Sequence, residues 1–131
     1  MRLLLDTHIA LWSVTADPKL PAAARSLIAD FSNTVSVSVA SLWEIAIKHA
    51  TKRRGAQAMP LNARLAASYF TGSGFQILTA SAAHIFAIED LELLHADPFD
   101  RLILAQASAE GMTLLTSDAV LAKYPGDVRK V

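Results

Sequence analysis

Short apolar runs alternate along this chain with longer stretches of helical periodicity. Leu3-Leu4-Leu5 is an uninterrupted apolar run that stops at Asp6-Thr7, which predicts a buried strand followed by a helix start. Asp17-Pro18 and Pro21 predict a break, after which a helix runs over Ala22–Ala29 and ends near Asp30. Val35-Ser36-Val37-Ser38-Val39 alternates strictly, with β-branched residues on one side, and predicts a strand. It passes into an apolar helix over Ala40–Ala50 that carries Leu42, Trp43, Ile45, Ala46 and Ile47. Thr51–Pro60 is basic and contains Gly55, the composition of a loop. Leu61–Phe70 predicts another helix, closed by Gly72-Ser73-Gly74, then a strand at Phe75–Leu78 and a helix over Ser81–Ile88. A strongly apolar helix is expected over Pro98–Glu110, with Gly111 just past its end as the stop signal. Thr113–Leu115 predicts a strand, Asp118–Lys123 a short helical turn, and Val128–Val131 an edge strand.

Strands that alternate with helices imply right-handed βαβ units and a parallel sheet covered on both faces. The fold class expected is therefore α/β, a three-layer α/β/α sandwich with a central parallel sheet. A sheet covered on both sides reads apolar on both sides, which accounts for a hydrophobic content of 53%. At 131 residues, with no internal repeat, one domain spanning 1–131 is expected. The absence of cysteine excludes disulfide frameworks, thiolate zinc sites and cysteine nucleophiles, and fits a reducing, cytoplasmic setting. No apolar run approaches the roughly 18–20 residues of a spanning helix. Asp6 comes too early for the apolar stretch of a signal peptide, so no membrane association is expected.

The net charge of zero conceals an uneven distribution. Four of the 12 basic residues lie between Lys48 and Arg54, and five of the 12 acids lie between Glu89 and Asp100. A basic patch and an acidic patch cancel in the sum, so neutrality does not exclude a nucleic-acid enzyme, although dedicated binders are usually basic overall.

In open α/β sheets the functional crevice lies beyond the carboxyl ends of the strands. Asp6 follows the first strand, Asp118 follows Thr113–Leu115 through Thr116-Ser117, and Glu44 lies about a turn and a half into the helix after Val35–Val37. Asp97 and Asp100 stand at the start of the long helix. Singly, each has a structural role. Asp97 is placed to cap a helix with Pro98 at its first position, and Ser41-x-x-Glu44 has the form of a capping box. Glu44 and Lys48 form an i,i+4 pair, Asp118 can cap the last helical turn, and Asp6 or Thr7 the first helix. Caps, however, need not converge. Several carboxylates gathered at one sheet edge without a basic partner repel each other, and a hard divalent cation, Mg²⁺ or Mn²⁺, relieves that repulsion. Such a cation suits phosphodiester hydrolysis. Lys48, Lys52, Arg53 and Arg54 would then contact a phosphate backbone, while cations favoured by a helix C-terminus account for them equally well. His8 lies two residues past Asp6 and could approach the site, and His95 lies two before Asp97, with a hydrogen-bonded structural role as the default for both. His49 adds to the basic patch, and His84 belongs to a helix surface or the core. Trp12 and Trp43 lie on apolar helical faces, as core or interface residues.

The blocks Leu3-Leu4-Leu5-Asp6-Thr7-His8, Ala40-Ser41-Leu42-Trp43-Glu44-Ile45-Ala46-Ile47-Lys48, His95-Ala96-Asp97-Pro98-Phe99-Asp100-Arg101-Leu102-Ile103-Leu104-Ala105-Gln106-Ala107 and Leu114-Leu115-Thr116-Ser117-Asp118 together resemble PIN-domain proteins. More narrowly they are similar to VapC-type toxins of bacterial toxin–antitoxin modules, in the right order and over essentially the whole chain. The resemblance implies that Asp6, Glu44, Asp100 and Asp118 form an acidic Mg²⁺ site, and that Thr116 orients the neighbouring acids. Asp97 matches an extra acid of one subgroup, which often has a basic residue where this chain has Ala96. The resemblance further implies an endoribonuclease acting on single-stranded or loop RNA, a homodimer built through apolar helices, and an antitoxin partner that blocks the crevice. The implied mechanism has Asp6 and Asp100 on the metal, with Glu44 and Asp118 completing its shell through waters. An activated water then attacks the phosphate in line.

Two other phosphoryl-transfer folds fit less well. A haloacid-dehalogenase-like phosphatase wants an acid two residues past the strand-end Asp6, where this chain has His8. A receiver domain wants paired acids after its first strand, where Asp6 stands alone. The reading from another class is a catalytically silent binding module whose acidic crevice only docks a protein partner; four intact acids weigh against it.

Overall fold

The computed structural model describes residues 1–51 and 58–131. Five strands, β1 (Arg2–Leu5), β2 (Thr34–Ser38), β3 (Gln76–Leu78), β4 (Thr113–Thr116) and β5 (Val128–Lys130), form one sheet in the order β3-β2-β1-β4-β5. Every neighbouring pair is parallel. The helices are α1 (Thr7–Val14), α2 (Ala22–Ala29), α3 (Val39–Ala50), α4 (Ala63–Gly72), α5 (Ala82–Glu89) and α6 (Pro98–Glu110), with a 3₁₀ turn at Leu121–Lys123.

Side chains alternate across a strand, so a strand of consecutive leucines must feed two cores. Leu3 and Leu5 enter one core with Val35, Val37 and Leu115, covered by Ile9 of α1, Ala24 of α2, Ile45 of α3 and Phe70 of α4. Leu4 and Leu114 enter the other, covered by Leu102, Ile103 and Ala107 of α6. The register fits this division, since Leu3 pairs with Val35 and Leu4 with Leu114. Leu3, Leu4 and Leu5 are each fully buried, worth about 1.5–3 kcal/mol apiece relative to exposure. The three-layer sandwich read from the sequence is the fold.

Helix boundaries follow their punctuation. Asp97 caps α6 by accepting from the amides of Phe99 and Asp100, Pro98 takes the first position, and Gly111 closes the helix at φ 65°. Several boundaries differ from expectation by a residue or two, α4 running over Ala63–Gly72 where the sequence predicts Leu61–Phe70, and the start of α3 bears on the site. The strand after Thr34 stops at Ser38, whose hydroxyl caps α3, and Val39 is already helical. Ser41 therefore lies inside the helix and is not the start of a capping box. Among the described residues, no helix is long and apolar enough to cross a membrane.

The chain runs outward from β1 through β2 to β3, then crosses back to lay β4 and β5 on the other side of β1. The strand order thus reverses between β1 and β4. Ligand crevices in open α/β sheets open at such a switch point, beyond the carboxyl ends of the two strands. The Asp6 amide donates to the Leu115 carbonyl at 3.0 Å, which holds the end of β1 against β4.

Candidate active site

Asp6 is the first residue past β1 and caps α1, its Oδ1 accepting from the Ile9 amide at 2.9 Å. Across the switch point, the Thr116 hydroxyl at the end of β4 donates to Asp6 Oδ2 at 2.5 Å. The same hydroxyl accepts from the Asp118 amide at 2.9 Å. One buried threonine thus fixes the position of both acids. Burial pushes the Asp6 carboxyl above its ordinary value, against the Thr116 and Ile9 hydrogen bonds and the His8 charge, while the Asp118 charge adds to the rise.

Glu44 is buried on α3 and is fully compensated. Its Oε1 accepts from the Thr7 hydroxyl at 2.7 Å and its Oε2 meets Lys48 Nζ at 2.5 Å. Because Thr7 spends its one proton on Glu44, the Ser41 hydroxyl donates to Thr7 in their 2.9 Å contact. Lys48, expected as a phosphate contact, is thus engaged within the site, with its side chain 39% exposed. Lys52, Arg53 and Arg54 lie outside the described residues.

Asp118 is also compensated. Its Oδ1 accepts from the amides of Val120 at 2.7 Å and Leu121 at 3.4 Å, so it caps the following turn, and its Oδ2 meets His95 Nε2 at 2.8 Å. Burial opposes its charge, but the hydrogen bonds from His95, Val120 and Leu121 outweigh burial and lower its pKa.

Asp100 is the exception. It sits in the first turn of α6, where the ring of Phe99 packs edge-on against Trp43 of α3, with centroids 4.9 Å apart. That contact brings the start of α6 against the helix that carries Glu44. Among the described residues, no hydrogen-bond donor satisfies the Asp100 carboxylate, whose nearest partner is His95 Nε2 at 3.3 Å. Burial first, and then the negative charges of Asp97, Glu44 and Asp6, push its pKa up to about 7, with His95 pulling the other way. Asp6, Glu44, Asp97 and Asp100 thus form one electrostatic unit, and all but Asp100 have hydrogen-bond donors among the described residues.

Ligand atoms of His95, Asp100 and Asp118 lie within 4.8 Å of one another, close enough to share a cation. Asp6 and Glu44 stand outside that compact group and act on Asp100 through their charge. Sequence reasoning left three neighbours without a role in the site: Thr7, Ser41 and His95. Thr7 adjoins Asp6, and His95 precedes the capping aspartate of α6, but their partners are 37 and 23 residues away, so no local pattern reveals them. His8 is exposed and its ring lies tilted against Trp12 at a centroid distance of 5.7 Å. His84 is a buried capping residue of α5, paired with Glu110 at 2.7 Å.

The PIN domain family model matches residues 3–127. The chain belongs to the PIN domain family. Solved structures share the fold of this PIN domain at low sequence identity. One is VapBC2 from Rickettsia felis bound to a DNA fragment from their promoter, with 21% identity, 98% of each chain covered and a TM-score of 0.71. Another is FitAcB from Neisseria gonorrhoeae, with 16% identity, 91% of this chain and 89% of that one covered, and a TM-score of 0.55. No curated protein matches this PIN domain in sequence.

Proposed function

We propose that this PIN domain is a divalent-cation-dependent endoribonuclease and the toxin of a toxin–antitoxin pair, working as a single nuclease domain over residues 1–131. Nucleases are the general class of PIN domains. The observation that carries the reading further is Asp100, a partly buried carboxylate at the switch point with like charges around it and, among the described residues, no hydrogen-bond donor of its own. That arrangement costs stability, and a divalent cation would remove the cost.

The residues fit such an ion. Carboxylate oxygens are hard ligands, which favours Mg²⁺, with Mn²⁺ as the alternative. Asp6 and Asp100 would hold it, with Glu44 and Asp118 completing its shell through waters; of these, Asp118 is the acid whose ligand atom lies within 4.8 Å of that of Asp100. Bound there, the cation would polarise a phosphoryl oxygen, acidify a water and offset charge on the leaving oxygen. The chain's own groups do the positioning. Thr116 orients Asp6 and Asp118, Thr7 and Lys48 hold Glu44, and Asp97 secures the first turn of α6 on which Asp100 sits. Lys48, half-exposed beside Glu44, would contact a substrate phosphate together with Lys52, Arg53 and Arg54. With so few bases, RNA affinity would be modest and selection would rest on shape.

An antitoxin partner is supported by the shared fold with VapBC2 and FitAcB. A homodimer through apolar helices is supported by Ile85 and Phe86 of α5, which are 47% and 65% exposed. The cell location in keeping with these partners is the cytoplasm.

The test is cleavage of a structured RNA by purified protein with Mg²⁺, repeated with EDTA, with Asp6→Ala and with Asp100→Ala. Loss of cleavage in all three arms is expected. Cleavage that survives either substitution assigns the activity to another site or to a contaminant. A wild-type protein that cuts no RNA but binds a protein through the crevice would be the silent module instead. A small antitoxin-like reading frame immediately upstream would support the partner.

A further inference from the structure

His95 is the titratable group of the crevice to which neither the sequence pattern nor the proposed chemistry gives a task. It is mostly buried, and its ring is fixed at both nitrogens. Nδ1 accepts from the Asp97 amide at 3.0 Å, and Nε2 meets Asp118 Oδ2 at 2.8 Å and Asp100 Oδ2 at 3.3 Å. Its backbone is fixed as well. The amides of Leu94 and His95 both donate to the Tyr124 hydroxyl, at 3.1 and 2.9 Å, and that hydroxyl donates to the Glu92 carbonyl at 2.7 Å. Tyr124 is itself buried in the α6 core, so the segment that carries His95 is tied to the body of the fold.

We propose that His95 is a positioning residue, whose Nε2–H holds Asp118 beside Asp100 and keeps doing so when a cation is bound. The inference rests on the cation-site reading of the four acids. Two roles are open to an imidazole so close to two carboxylates: it can join the metal through a ring nitrogen lone pair, or it can donate a proton to a ligand. Hydrogen bonding decides between them. A nitrogen that accepts from an amide N–H carries no proton, so the proton of the neutral ring is on Nε2. Nε2 then has no lone pair to offer a metal. Coordination through Nε2 would move the proton to Nδ1 and set it against the Asp97 N–H, donor facing donor. Asp97 cannot turn away to relieve this, because its carboxylate caps α6 through Phe99 and Asp100.

The consequence reaches the choice of ion. With His95 as donor, the ligand set stays all-oxygen, the preference of Mg²⁺ and Mn²⁺; with His95 as ligand, a mixed nitrogen and oxygen set would favour Zn²⁺. His95 thus governs the selectivity of a site it does not enter.

Nitrogen-15 NMR of the histidine rings reads the tautomer directly, with the His95 signals assigned by their loss in His95→Gln. The Nε2–H tautomer is expected in EDTA and again at saturating Mg²⁺. A proton on Nδ1 in either state would overturn the proposal. Calorimetric Mg²⁺ titration supplies the second reading. His95→Ala is expected to weaken binding by about tenfold or more, the usual scale for a residue that orients a ligand. His95→Gln, which keeps an N–H donor on the same side, is expected to recover most of it. Equal losses in the two variants, or none in His95→Ala, would also overturn the role, and if His95→Ala does not fold, the wild-type NMR measurement decides. If the wild type binds no Mg²⁺, the cation-site reading falls and the positioning role with it. If it binds Mg²⁺ through Asp100 and ignores His95→Ala, only the positioning role falls.

Discussion

Thr116 and Asp6, 110 positions apart in the chain, are joined by a 2.5 Å hydrogen bond that crosses the switch point of the sheet. The bond links the ends of the two strands that carry acids into the crevice. Its donor also receives the Asp118 amide, so a single hydroxyl keeps two carboxylates apart and aimed. Thr116→Val keeps the shape and removes the hydroxyl. It leaves a buried carboxylate oxygen and a backbone amide without that partner, at a cost of about 1–3 kcal/mol. Urea denaturation is the measurement, with Thr116→Ser as the restoring variant. A Thr116→Val protein as stable as wild type would show that the hydroxyl does not hold the acids.

The charge state of Asp100 sets a pH dependence with a definite sign. Its pKa is raised to about 7, by burial above all, so between roughly pH 4 and pH 7 the folded state holds a proton that the unfolded state releases. The corresponding stability is fully present below about pH 4 and is lost as pH rises through about 7. Asp6 shifts in the same direction. Asp118 shifts the other way, and its contribution is lost only as pH falls below the ordinary carboxylate range. In EDTA, Asp100→Asn is expected to exceed wild-type stability near pH 8 and to lose that advantage near pH 5. A difference independent of pH, followed by chemical denaturation at several pH values, would contradict the assignment.

Glu44 and Lys48 test a different part of the site. Their 2.5 Å pair joins a buried carboxylate to a partly exposed ammonium, so Lys48→Met leaves Glu44 with Thr7 as its remaining donor. RNA cleavage is expected to fall by tenfold or more, whereas Lys48→Arg, which keeps the charge, retains more of it. Equal activity in Lys48→Met and wild type would leave this lysine with neither a positioning nor a phosphate-binding task.

Gly111 closes α6 at φ 65°, in the left-handed region, and a Cβ added there would meet no atom within 4 Å. Gly111→Ala therefore isolates a backbone cost of about 1–2 kcal/mol, with Gly111→Asn intermediate. Thermal or urea unfolding checks the order. An alanine variant without loss would mean that the helix end rearranges.

Legibility from sequence tracked how local each determinant is. The limits of α6 follow from Asp97, Pro98 and Gly111, all within a residue of its ends, and the paired cores follow from three consecutive leucines. The start of α3 was less legible, because the alternation of β2 runs on through Val39 while the Ser38 cap has already begun the helix. Within the site, the acids could be read as strand-end and helix-start residues. Their differing compensation could not. Whether a carboxylate meets Thr7, Thr116 or His95 depends on how distant segments cross at the sheet edge, and that difference singles out Asp100.

The most direct measurement is the folding stability of the EDTA-stripped protein, near pH 8, as Mg²⁺ is added back to wild type and to Asp100→Asn. A ligand that binds only the folded state adds about 2.7 kcal/mol at one hundred times its Kd. Wild-type stability is expected to climb with Mg²⁺ along that curve, while Asp100→Asn starts higher and stays flat. A wild type indifferent to Mg²⁺, or a variant that gains as much from it, would contradict a cation site built around Asp100.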